Sequence, residues 1–143
     1  MNFDIDFINR LVSLCEDAFN SGEVPVAAAV LDSSFNIISI SNNSRQNSFS
    51  VLNHAEINAI VDAENILGDW RLNGYILIST LEPCDMCSSI IKECRLDNVF
   101  YLIPRSSSSV LPNDFISKSK VKGFISQKQK LKNLLTSFFE ERR

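Results

Sequence analysis

The sequence predicts an α/β protein: a three-layer α/β/α sandwich in which a five-stranded mixed sheet carries helices on both faces. Three observations predict it. From residue 54 onward, segments with apolar residues at helical spacing alternate with short apolar runs of strand length. Nearer the N-terminus, two short runs are separated only by turn residues, which makes them an antiparallel hairpin. The runs at 75–81 and 98–103 are almost wholly apolar, the pattern of strands covered on both faces. With 143 residues, 45% hydrophobic and 22% charged, the chain has material for one ordinary core, and 1–143 reads as a single domain.

The elements follow in order. Residues 3–20 place Phe7, Ile8, Leu11, Val12, Leu14, Cys15, Ala18 and Phe19 at helical spacing, and Ser21-Gly22 supplies the stop. PVAAAVLD (25–32) and NIISIS (36–41) form the hairpin around the Ser33-Ser34 turn. Residues 42–53 are polar and irregular. HAEINAIVDAENIL (54–67) is a helix ending near Gly68, YILISTL (75–81) a strand, CDMCSSIIKECRL (84–96) a helix and NVFYLI (98–103) a strand. PRSSSSVLPNDFIS (104–117) reads as a loop with one short helical turn. SKVKGFI (119–125) supplies a fifth strand, and 127–143 is a terminal helix with Leu131, Leu134, Leu135, Phe138 and Phe139 on one face.

The N-terminal stretch has no basic leader and carries Asp4 and Asp6, and no apolar run approaches the ~18 residues of a spanning helix, so a cytoplasmic protein without a membrane partner is expected. In a reducing compartment, clustered cysteines are metal ligands or catalytic groups rather than disulfides. The net charge of −3 conceals an asymmetry. Residues 1–116 carry 6 basic and 15 acidic side chains, whereas residues 117–143 carry 8 basic and 2 acidic ones. That basic end either meets phosphates or is a solvated helix face.

Among the four cysteines and the single histidine, His54, Cys84 and Cys87 form the constellation to explain. Cys84 and Cys87, three apart at a helix start, lie about 60° apart around the axis, so both thiolates can reach one ion. Pro83 fixes where that helix begins. Three ligands of N/S/S type leave the fourth tetrahedral position of Zn2+ open, as in catalytic zinc sites. Cys94 lies ~10 Å further along the helix, too far for the same ion, and Cys15 sits among apolar neighbours as a small hydrophobe. Glu56 admits two roles. It can reach a zinc-activated water without binding the metal, or it can close a capping box with Asn53. The pattern His54-Ala55-Glu56 with Pro83-Cys84-x-x-Cys87 fits the zinc deaminase signature and favours the catalytic role.

With these residues the chain resembles the bacterial tRNA-specific adenosine deaminase family of the cytidine deaminase-like superfamily. GEVPVAAAV (22–30), HAEINAI (54–60), DWRL (69–72), STLEPCDMCSSII (79–91) and LLTSFFEERR (134–143) carry the likeness. The resemblance implies that His54, Cys84 and Cys87 hold zinc and that Glu56 moves the protons. It implies Asn43, Glu82 and Pro83 as substrate-binding residues. Asn43, eleven residues before His54, matches the asparagine that hydrogen-bonds the target base, with Asn42 as the alternative register. It further implies a homodimer with residues near the site from both subunits.

The chain departs from the family at YLIPRSSSSVLPNDF (101–115), which lacks the glycines usual there, at Val51-Leu52-Asn53 before His54, and at Ala28. Three functions therefore stand side by side: deamination of adenosine to inosine at the wobble position of a tRNA; deamination of a free base or nucleoside of guanine or cytosine type, or of another polynucleotide; and a non-catalytic zinc-stabilised subunit. Glu56 speaks against the third. The lysine-rich end fits RNA phosphates, and Phe138 and Phe139 act there as a pocket wall or as core packing.

Overall fold

In a computed structural model, the structure describes residues 3–105 and 118–141. Helix α1 spans Ile5–Asn20. It begins two residues later than its periodicity suggests because the Asp4 carboxylate caps it, accepting from the Asp6 amide at 2.9 Å. Strands β1 (Ala27–Leu31) and β2 (Ile37–Asn42) form the expected antiparallel hairpin. One oxygen of Asp32 accepts from the Ser34 and Asn36 amides at 2.9 Å and closes the turn.

The segment read as irregular contains one helical turn, α2 (Arg45–Ser48). Helix α3 spans Ala55–Leu67 and ends on Gly68 at φ 68, a left-handed C-cap that glycine adopts without strain. Strand β3 (Ile76–Leu81), helix α4 (Asp85–Glu93) and strand β4 (Asn98–Ile103) follow. Helix α4 stops three residues short of the expected 96, because Arg95 turns to φ 64. Strand β5 (Lys118–Lys120) is shorter and earlier than 119–125, and helix α5 (Ile125–Glu141) begins two residues early. The loop and helical turn expected over 104–117 lie almost wholly outside the described residues.

The sheet order is β2-β1-β3-β4-β5. Strand β1 runs antiparallel to β2 and β3, and β3, β4 and β5 run parallel, so the sheet is mixed as expected. Alternation along β1 and β3 divides the core. Ala27, Ala29, Leu31, Ile76 and Ile78 pack with Ile8, Leu11 and Cys15 of α1 and Leu131 of α5. Ala28, Val30 and Leu77 pack with Ala55, Ala59 and Ile60 of α3 and Ile91 of α4. The period of two assigns successive strand residues to opposite layers. Of the paired phenylalanines on α5, Phe138 is buried and Phe139 is 55% exposed, so one helps to close the core and the other does not.

Candidate metal centre

Both chemical motifs lie where a helix begins. His54 is the N-cap of α3 and Cys84 the N-cap of α4, each with extended backbone and with its side chain making no capping bond. An N-cap side chain projects past the helix end instead of into a packed flank, so two different helices can present ligands to one point. Cys87 follows one turn inside α4 and is buried. The His54 Nδ1 atom lies 3.7 Å from Cys84 Sγ and 3.4 Å from Cys87 Sγ. All three donor atoms lie within 4.8 Å of one another. Ligands on a zinc tetrahedron with the usual Zn–N and Zn–S lengths stand about 3.5–3.8 Å apart, so these residues fit the ion.

The electrostatics agree with the geometry. The hydrogen bond from Cys87, opposed by burial and helped by His54, holds the Cys84 thiol down at about 3 from its ordinary 9.0. The same bond, with burial and the nearby Glu56 carboxylate, pushes Cys87 upward. Cys84 is thus favoured as a thiolate, the form in which a cysteine binds a cation. Cys84 also lies at the positive end of the α4 dipole, which favours a thiolate. Cys94 is buried elsewhere, its thiol donating to the Ile91 carbonyl at 3.3 Å, and Cys15 donates to Thr80 Oγ1 at 3.5 Å. Neither joins the group, as the spacing indicated.

Glu56 is 4% exposed and does not close a capping box. Its Oε1 accepts from the Ser79 hydroxyl at 2.8 Å, and its Oε2 from the Cys87 thiol at 3.3 Å. The Asn53 amide donates to the Ser50 carbonyl instead, and His54 takes the N-cap position. The carboxylate therefore stands beside the ligand cluster without being one of its three members.

The structure separates Asn42 from Asn43. The Asn42 amide donates to the Leu14 carbonyl of α1 at 3.0 Å, whereas Asn43 is buried and its Nδ2 has no partner among the described residues. The segment carrying Asn43 is tied to the approach to His54. Ser44 N–H donates to Asn53 O at 2.9 Å, and Asn58 Nδ2 bonds Asn42 O at 3.0 Å and Ser44 Oγ at 2.9 Å. Glu82 and Pro83 form the turn from β3 into Cys84. The Glu82 carboxylate accepts from the Arg105 amide at 3.3 Å and lies 3.7 Å from Lys118 Nζ, which donates to Pro83 O at 3.1 Å.

Two supporting residues escaped the reading of the sequence. Ser79 touches Glu56, and Glu23, 1% exposed, accepts from the Gln46 and Asn47 backbone amides at 2.8–3.2 Å and from Asn47 Nδ2 at 3.1 Å. Glu23 thereby anchors the start of α2 and the loop leading to His54. Each pairing joins residues more than twenty positions apart, which no local pattern announces. The one local signal was Ser79, a polar residue in an otherwise apolar strand; Glu23, directly after Ser21-Gly22, gave none.

The family model of the cytidine and deoxycytidylate deaminase zinc-binding region matches residues 1–103. The chain belongs to this family. Its zinc accordingly has a ready donor set in His54, Cys84 and Cys87. Within the deaminase family, a tRNA-specific adenosine deaminase of Rickettsia felis (strain ATCC VR-1525 / URRWXCal2) is 42% identical over 85 residues, 59% of each chain. That of Bacillus subtilis (strain 168) is 35% identical over 101 residues, 71% of this chain and 62% of the relative. The chain thus spans about three-fifths of the length of these relatives. A structure from studies of A-to-I editing by tRNA:A34 deaminases superimposes with a TM-score of 0.79 at 25% identity, covering 92% of this chain and 100% of that one. Guanine deaminase from Bacillus subtilis gives 0.66 at 33% identity, covering 73% and 66%. The deaminase fold is therefore the five-stranded arrangement described above.

Proposed function

We propose that the protein is a zinc-dependent hydrolytic deaminase that converts adenosine to inosine at the wobble position of a tRNA anticodon. The observation that carries the chemistry is the buried Glu56 carboxylate fixed beside three zinc-competent donors. The tRNA substrate is supported by the names of the relatives and by the likeness to the tRNA:A34 deaminase structure.

In this reading His54, Cys84 and Cys87 hold zinc. Zinc bound there would make a water acidic enough to serve as nucleophile near neutral pH. Glu56 would carry the two protons of that water in turn, the first to a ring nitrogen and the second to the departing amino group. A C–O bond forms at the amino-bearing carbon, the C–N bond breaks, and ammonia leaves. Asn43, with its buried and unpartnered amide nitrogen, hydrogen-bonds the flipped base. Glu82 and Pro83 border it. Lysines of β5 and α5 meet backbone phosphates.

We read residues 1–143 as one domain, since the described elements share one sheet with helices on both faces. A homodimer fits the exposed Phe49, Val51 and Leu52 just before His54, an apolar strip that a second copy would cover beside the site. Among the described residues no helix is long and apolar enough to cross a membrane. A cytoplasmic setting suits the free thiols of Cys15, Cys84, Cys87 and Cys94 and a tRNA substrate.

A second reading, deamination of a free base, is favoured by the likeness to guanine deaminase and by the glycine-free 101–115 segment. Incubating the zinc-loaded protein with tRNA, free nucleosides and free bases, followed by mass spectrometry, tests both. Inosine in tRNA is the expected product. Conversion of a free base with tRNA untouched replaces the first reading with the second.

A further inference from the structure

We propose that Ser79 is a positioning residue for the proton-carrying carboxylate of Glu56. The inference rests on the reading of Glu56 as the proton carrier and adds the group that holds it in place.

Strand β3 is apolar except for two adjacent hydroxyls, Ser79 and Thr80, which the strand period sends to opposite faces. Thr80 faces α1, where its Oγ1 accepts from the Ala27 amide at 3.1 Å and from Cys15. Ser79 faces α3, is fully buried, and has its Oγ 2.8 Å from Glu56 Oε1. Its backbone register opposite Ala28 fixes it in the middle of the sheet, so the hydroxyl has a rigid mount.

The contrast with Glu23 shows how lightly Glu56 is held. The Glu23 carboxylate is gripped by two backbone amides and a side-chain amide, whereas Glu56 has one hydroxyl on Oε1 and one thiol on Oε2. Cys87, the thiol donor, is itself one of the zinc-competent residues. Among the described residues Ser79 is the remaining hydrogen-bond partner, and it leaves Oε2, the oxygen beside the ligand cluster, to exchange protons. The hydroxyl brings no charge of its own, and it can donate to Oε1 both when Oε2 is bare and when Oε2 carries a proton, so the same bond survives both halves of a proton shuttle.

The test compares Ser79→Ala, Ser79→Thr, Ser39→Ala and Glu56→Gln with the wild-type protein. Each is assayed for zinc content, thermal midpoint, kcat and KM on whichever substrate the wild type deaminates. Ser39 is a control because its hydroxyl is also buried and bonds α3, at the Ala59 carbonyl, away from the carboxylate. Ser79→Ala is expected to keep zinc, to change KM less than about twofold and to lower kcat about tenfold, in line with a displaced catalytic group. Ser39→Ala should lose thermal stability without that fall in kcat, and Ser79→Thr should recover most of the turnover. Full kcat in Ser79→Ala together with an inactive Glu56→Gln overturns the positioning role alone. Full activity in Glu56→Gln, or a wild type that deaminates nothing, overturns the reading of Glu56 and this inference with it. If Ser79→Ala does not fold, Ser79→Thr decides: it must deaminate within about threefold of wild type, and a greater loss with zinc retained overturns the proposal.

Discussion

Replacing Glu56 with alanine should leave zinc bound and lower kcat by about 10²–10⁴, the usual worth of a positioned general acid–base, as read by metal analysis beside steady-state kinetics. Zinc loss in this variant would instead make Glu56 a support of the ligands. A second consequence concerns Cys15, whose thiol burial pushes from 9.0 up to about 12. A group whose folded pKa is raised keeps its stabilising effect below the unfolded value and loses it as pH climbs toward the folded one. Urea midpoints should therefore fall between about pH 9 and 12, and Cys15→Ala should flatten part of that fall. Cys94, raised to about 11 by burial, accounts for another part. The clustering of His54, Cys84 and Cys87 with Glu56 was legible in the sequence because a histidine, a glutamate two positions later and a Cys-x-x-Cys at a helix start announce themselves by spacing. Ser79 was not, because its partner is made by laying α3 across the sheet. The choice between a cap and a free carboxylate at Glu56 also needed three dimensions, since it turns on which residue begins α3.

At the scale of elements, the loop between β2 and α3 depends on Glu23. Glu23→Ala removes a buried acceptor from the Gln46 and Asn47 amides and should cost about 1–3 kcal/mol, with faster hydrogen exchange at those two amides. Unchanged exchange would mean that the loop orders itself without the carboxylate. The bounds of strand β4 were legible because an almost wholly apolar run has clear ends at Asp97 and Pro104. The one-turn helix α2 was not legible, since four polar residues carry no periodicity and two of their amides, at Gln46 and Asn47, depend on Glu23, 23 and 24 residues earlier. Helix α5 was placed within two residues, but the exposure of Phe139 shows the limit of helical spacing: a stripe of five apolar residues was wider than the groove available to it. Phe138→Ala should cost about 3–5 kcal/mol by opening a core cavity, against less than about 0.5 kcal/mol for Phe139→Ala. Equal losses in urea denaturation would mean that Phe139 is covered in solution by a partner.

For the whole molecule, the two-layered core and the zinc centre are coupled, because the ligands come from the starts of α3 and α4 on the same face of the sheet. Removing zinc with a chelator should lower the melting temperature and restoring it should raise it, the bound ion stabilising the fold by about 4 kcal/mol when free zinc is a thousandfold above Kd. The charge distribution acts at the same scale. In the proposed function the basic C-terminal end meets the RNA while the chain as a whole remains at −3, and such binding should weaken steeply with salt. In the proposed function, this arrangement of Glu56 beside His54, Cys84 and Cys87 deaminates an RNA adenosine. Its most direct test is mass spectrometry of tRNA after incubation with the zinc-loaded wild type and with Glu56→Ala. Inosine is expected at the wobble position from the first and none from the second. Unmodified tRNA from both, or inosine from both, would contradict it.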